Sequence, residues 1–479
     1  MSAPVLRTMR DPLLAIQLRG LNRYGFIIKL VGSASIFTSP FWLGALFFTS
    51  PQDYSYASSL ICVPLLTIIG TVAVIHFTQG DPYLRRLLMI SLMAHMAASS
   101  MFLWLGLVVY GGTADAFHYW TVGRALADQF QTGGWSVFHP PYWSTNLINN
   151  VSGVAALLIG DALPTLFIAF ALIPLAGTYC FYRAFVIVFP DGDRWLFGLL
   201  AALSPSLLFW SSFLGKDSPI QYFIALTCLG FAKVTHQAGL QGALLCAVGL
   251  SGTLLMRAHV AAILAIAMTL PYLIGKSRRG SGHKATKLIL IPVLLLSTYF
   301  LISQAHAFLY SNTNSADSTS VFQEADTITK NSHTGGSAFN GGTSLPIRIA
   351  EAPVLMFRPF PWEIHNGLAL VSAVESMGLL IFCLVQRREI WSMLRDWRNP
   401  YVGFLLMYSI VFSITFGATI SNFGILARQR IMMTPIVIML LCGRQRIMNR
   451  RSLQKLEEQL GPNRMSMFSS SSRLKAGVS

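Results

Sequence analysis

The chain has 479 residues, of which 53% are hydrophobic and only 11% charged. Soluble domains carry roughly 25% charged residues, so this composition excludes an ordinary water-facing globule and points to a protein embedded in lipid. The formal net charge of +16 is spread over several loops and one tail, which argues for membrane topology and anionic lipid rather than nucleic acid as its cause.

Apolar stretches near the roughly 20 residues needed to cross a bilayer fall at 26–49, 57–77, 87–110, 163–188, 195–210, 218–234, 239–256, 259–275, 287–308, 367–385, 401–420 and 430–443. They predict an all-α, polytopic bundle of about 12 spans, with a short segment 1–25 before it and a basic tail 444–479 after it. Arg7, Arg10, Arg19 and Arg23 precede the first apolar run, and nothing resembles a cleavage site, so an uncleaved first helix is expected. With the N-terminus inside, 27 of the 35 Lys and Arg residues fall on the cytoplasmic side and 8 outside. That bias places both termini in the cytoplasm. The six cysteines all lie in apolar runs without a CxxC pair, as small buried hydrophobes do.

Two outer segments are long. Residues 111–162 are rich in Trp, Tyr, His and Pro and include ALADQFQTGGWSVFHPPYW, which reads as partly helical on the membrane surface. Residues 309–366 begin with a Ser/Thr/Asn/Gly stretch whose composition suits a mobile loop or lid.

The outer basic residues are exceptions to the charge bias. Arg124, Lys330 and Arg348 read as solvated loop residues, whereas Lys216, Arg257, Arg358, Arg428 and Arg430 each sit at or near the outer end of a predicted helix. Ionisable groups at membrane depth are costly and either pair or line a functional cavity. Five together favour a shared anionic ligand, and arginine's planar fork suits phosphate. In GGTADAFHYW, Asp115 stands beside His118 and Tyr119; its carboxylate is placed to act as a general base, to bind a divalent metal, or simply to cap a helix with Thr113. SPSLLFWSSFLGKDS presents Trp210, Lys216 and Asp217, and MRAHV puts Arg257 and His259 at the apex of a tight helical hairpin. In FRPFPWEIHN, Pro359 and Pro361 extend the backbone that carries Arg358, Trp362, Glu363 and His365. Trp362 is an interfacial belt residue or a platform for a sugar ring. Glu375, three turns into its helix, is expected to pair with a basic or polar group.

The order of DAFHYWTVGRALA, a Gly/aromatic/Pro loop, apolar spans and P-S-x-x-x-W-S-S…K-D over residues 111–260 resembles the GT-C class of membrane glycosyltransferases. The chain differs from many members in having Asp115 flanked by His118 and Tyr119 rather than by a second acid, and in placing this loop after the third apolar run. The resemblance implies a polyprenyl-phosphate-linked sugar donor, a glycan or lipid-linked acceptor, and an active site on the outer face of a bacterial cytoplasmic membrane. It also implies a catalytic role for Asp115, the position that matches; His118 beside it and Glu363 at the outer end of its own helix are further catalytic candidates by their placement. Tyr119, Lys216, Asp217, Arg257, His259, Arg358, Trp362, Arg428 and Arg430 would then bind substrate and phosphate. An O-antigen-type polysaccharide polymerase and a flippase of lipid-linked saccharide are the alternative readings.

Overall fold

The computed structural model describes residues 57–133, 144–237, 239–275, 357–364, 367–420 and 422–443, with single positions at 292, 295, 299, 351 and 354. Among these the regular structure is helical throughout. The predicted runs 26–49 and 287–308, the 309–350 stretch, His365 and the tail lie outside the described residues.

In chain order the helices are α1 (Ala57–Phe77), α2 (Pro82–Trp104, extended by a π-helical turn Leu105–Val109), α3 (Asp115–Gly133), α4 (Ser144–Ile159), α5 (Leu163–Ala171) and α6 (Ile173–Val188). Then come α7 (Arg194–Leu203), α8 (Pro205–Ser211), α9 (Asp217–His236), α10 (Leu240–Met256) and α11 (Ala258–Ile274). A 3-10 turn at Pro361–Glu363 precedes α12 (Gly367–Val385), α13 (Arg387–Arg395), α14 (Pro400–Thr419), α15 (Phe423–Arg430) and α16 (Thr434–Cys442). Several boundaries follow from capping chemistry. Asp81 accepts from the Leu84 amide at 3.0 Å with Pro82 at the first helical position of α2, and Asp193 does the same for Leu196 in α7. Asn422 accepts from the amides of Gly424 and Ile425 at 2.9 and 3.2 Å, which fixes where α15 begins.

Among the described residues, three segments are long and apolar enough to cross a membrane: Pro82–Val109, Leu163–Val188 and Pro400–Gly417. Two more qualify as bent pairs, α12 with α13 at 67° and α15 with α16 at 55°, giving up to five. The remaining apolar runs within the described residues are also helical but shorter or broken; for example, 195–210 is two helices, α7 and α8, separated at Ser204–Pro205. Proline at the start of α8 cannot donate the amide that would continue α7.

The segment read as an outer loop, 111–162, is largely helical. Its two halves form α3 and α4, which lie against each other so closely that a Cβ at Gly123 would sit 2.7 Å from Ser152 Cβ. The same economy of side chain joins α9 to α10, where a Cβ at Gly249 would collide with Thr227 Oγ1. Small residues at such crossings let backbones approach, the usual route to tight helix packing in lipid. Between the helices, aromatic rings fill the core: Phe185 stacks on Phe197 at 4.3 Å and Phe102 on Phe213 at 3.9 Å.

Candidate functional site

The site is built around the link between α8 and α9. Ser218 folds this link back by donating to the carbonyls of Ser211 and Phe213 at 2.5 and 3.1 Å. Lys216 and Asp217 therefore point different ways at the start of α9. Asp217 is 1% exposed, and a carboxylate in the first turn is favoured by the positive end of the helix dipole. Its two oxygens are shared between two guanidiniums. Arg257 Nη2 donates to Oδ1 at 2.9 Å, and Arg428 Nε donates to Oδ2 at 2.5 Å.

Arg257 is the single residue between α10 and α11, with extended backbone (φ −146°, ψ 96°) that turns its side chain inward. Its other terminal nitrogen donates to Gln429 Oε1. Arg428 reaches further, giving Nη1 to Asp115 Oδ2 at 2.9 Å, and its guanidinium lies 5.7 Å from the Phe213 ring centre. Among the described residues Lys216 has no carboxylate within ion-pairing distance; its ammonium donates to Ser144 Oγ at 3.0 Å and Thr145 Oγ1 at 2.8 Å, at the start of α4.

These groups surround a cavity of about 370 Å³ that Asp115, Tyr119, Trp210, Lys216, Arg257 and Arg428 line, with Phe102 and Phe213 among its apolar walls. Counting Asp217 behind the arginines, three cations face two carboxylates, a formal excess of one positive charge. Burial lowers the Lys216 ammonium pKa and Arg257 lowers it further; an anion in the cavity would oppose both effects. Burial, with Asp115 next in weight, pushes the Tyr119 phenol up to about 12, so it stays a neutral hydrogen-bonding group. A cavity with a basic rim and aromatic walls is suited to an anionic headgroup joined to a ring or chain.

The other expected site residues fall elsewhere. Arg430 follows Arg428 by two positions on α15, which is about 200° around a helix of 3.6 residues per turn. It turns away from the cavity, 2% exposed, and donates to the Arg358 carbonyl at 3.1 Å and to Ser376 Oγ. Arg358 is occupied in turn by Glu363, donating from Nε to both carboxylate oxygens at 2.8 and 3.1 Å, and its guanidinium lies 4.9 Å from the Phe423 ring centre. Glu363 also accepts from the Phe360 amide at 2.8 Å. The expected catalytic Glu363 is thus a structural acid absent from the cavity lining. Trp362 stacks on Phe360 at 4.8 Å and is 75% exposed. His118 is exposed on α3, and His259 packs edge-on to Phe416 at 5.6 Å; neither lines the cavity. Glu375 does pair with a polar partner, accepting from the Ser206 amide at 2.9 Å and from the Ser206 hydroxyl, which caps α8 from α12. Arg124 is paired with Asp161 at 2.9 Å, while Lys330 and Arg348 lie outside the described residues.

Gln429, Tyr110 and the Ser144–Thr145 hydroxyls are the site residues that the sequence reading missed. Gln429 had a signal, standing between two arginines of interest; Ser144 and Thr145 had none, being far from Lys216 in sequence. Among the described residues no three His, Cys, Asp or Glu side chains gather as metal ligands. The oxygen of Asp115 that faces the cavity cations is held by Arg428, a neighbourhood that does not suit a divalent ion. No protein-family model, curated protein or solved structure matches this chain, so the site rests on its own geometry.

Proposed function

We propose that the protein is a multi-pass glycosyltransferase of a bacterial cytoplasmic membrane, of the GT-C type, with about 12 spans and both termini cytoplasmic. It takes a polyprenyl-phosphate-linked sugar at its outer face and builds cell-envelope glycan. The observation that carries this reading is the convergence of Lys216, Arg257 and Arg428 on one cavity whose mouth holds the half-exposed carboxylate of Asp115. Such a cavity suits a phosphate with its sugar against Trp210 and Tyr119. Lys216 and the two arginines offer donors to the phosphate oxygens as the glycosidic C–O bond breaks and negative charge collects on the leaving phosphate. Asp115 is placed to take the proton of the acceptor hydroxyl. Asp217 holds the two arginines in place and is a positioning residue.

The test is mass spectrometry of polyprenyl-linked saccharides and surface glycans in cells with the wild-type gene, without it, and with Asp115→Asn. We expect deletion and Asp115→Asn to accumulate the same lipid-linked mono-sugar and to remove one glycan residue, the variant slowing transfer by roughly 10²–10⁴-fold. Accumulated complete repeat units would show a polymerase instead. Unchanged pools in all three strains would remove both readings.

A further inference from the structure

The cationic segment after α12 takes no part in the cavity, yet its surface is unusual. The sequence RREIWSMLRDWR breaks from α12 at a 67° elbow and forms the short helix α13. One face is anchored: Met393 is 2% exposed, and Gln386 at the elbow donates from Nε2 to the Leu441 carbonyl of α16 at 3.3 Å. A second face presents Trp391, Leu394 and Trp397 at three-residue spacing, exposed by 58%, 39% and 46%. Arginines frame this stripe. Arg395 lies 5.6 Å from the Trp391 ring centre and Arg398 lies 5.6 Å from that of Trp397, while Arg387 and Arg388 are exposed at the start of the helix.

We infer that α13 and the residues to Arg398 form an interfacial anchor that binds the anionic phospholipid headgroups of the leaflet at the end of α12. Three observations single out this occupant. First, α12 is apolar and presents Leu370, Val374, Ile381 and Leu384 outward, so the bilayer is continuous with the elbow, and a sharp turn out of a span lays the next helix near the membrane plane. Second, tryptophan is the residue favoured at that depth, with its ring among the acyl–headgroup boundary and its N–H in water. Third, residues 387–398 hold four arginines against Glu389 and Asp396, a surplus of two positive charges matched to anionic lipid. A guanidinium beside an indole at the interface reaches a phosphate while the ring covers its apolar stem, so one cation serves both contacts.

The experiment uses the full chain in nanodiscs of phosphatidylcholine containing phosphatidylglycerol, with brominated chains on one lipid or the other. The readout is the quenching of the fluorescence component that disappears in a Trp391→Phe/Trp397→Phe variant. We expect that component to be quenched, and more strongly by brominated phosphatidylglycerol than by brominated phosphatidylcholine at equal mole fraction. Replacing Arg387, Arg388, Arg395 and Arg398 by Gln should erase the preference, with a loss of about fivefold per arginine at low salt. An unchanged melting temperature and elution profile show that these surface variants remain folded. A component untouched by either brominated lipid shows the face covered by protein and overturns the inference. Equal quenching by both lipids overturns the anionic selectivity.

Discussion

Two charged clusters hang on the same short helix, and they have opposite characters. On one side of α15, Arg428 joins Arg257, Lys216, Asp115 and Asp217 around an open cavity with more cations than anions. On the other, Arg430 joins Arg358, Glu363 and Ser376 in a knot in which Arg358 pairs with Glu363 and Arg430 donates to a hydroxyl and a backbone carbonyl, beside a second, mostly apolar cavity that Arg430 lines together with Glu375. In the sequence both look alike: arginines near the outer ends of helices, with an acid and an aromatic close by. What separates them is the lining of the two cavities: Lys216, Arg257 and Arg428 share one with Asp115, whereas among the described residues Arg430 is the one basic residue lining the other and faces Glu375 across it. A single guanidinium that meets an acid on the wall of its cavity is balanced within the protein, whereas several cations converging on one cavity in surplus leave an anion to be supplied.

The comparison is broken most directly at Asp217, which is buried between two guanidiniums. Asp217→Ala leaves those cations facing each other without a counter-charge, and should cost about 3–5 kcal/mol of unfolding free energy in mixed micelles. A loss below about 1 kcal/mol would mean that Arg257 and Arg428 hold position without it. Next in size is Lys216→Met, expected to weaken binding of a polyprenyl phosphate by roughly ten- to a hundredfold, the loss of a charge-assisted contact of about 1.5–3 kcal/mol. Its thermal stability should change little, because the hydroxyls of Ser144 and Thr145 can turn to water at the cavity. Arg430→Met should do the reverse. It strips a donor from the Arg358 carbonyl and Ser376, for a loss of about 1–3 kcal/mol in stability, and leaves polyprenyl-phosphate affinity where it was. The smallest effect is expected at Trp362, where replacement by Leu should alter stability by about 0.5 kcal/mol or less and leave turnover intact. A large fall in turnover there would restore Trp362 as the sugar platform in place of Trp210.

The helical character and the long apolar spans were legible from composition and run length alone, and so was the expectation that outer basic residues pair or line a cavity. Five of the residues singled out, Asp115, Lys216, Asp217, Arg257 and Arg428, do meet in space, although they come from segments as far apart as α3 and α15. Their grouping was legible because buried charge is rare in lipid and must be answered by other charge. The split between Arg428 and Arg430 was not legible, since it depends on α15 beginning at Phe423 and so on the Asn422 cap. Glu363 resembled a catalytic acid because nothing local shows that Arg358, five residues back, curls over to meet it. A helix after Asp115 was legible from the Thr113/Asp115 cap and the ALADQF stretch; the helix α4 and its close crossing with α3 at Gly123 and Gly153 were not, since nothing local shows which segments meet.

The central claim is that the cationic cavity, and not the neighbouring knot, receives the phosphate of a lipid-linked substrate. The most direct test is titration of a polyprenyl phosphate into the purified full chain, comparing wild type with Lys216→Met and Arg358→Gln and following unfolding of each variant alongside. The account predicts at least about a tenfold loss of affinity for Lys216→Met, and for Arg358→Gln an unchanged affinity with lowered stability. Equal affinity losses for the two variants, or none for Lys216→Met, would contradict it.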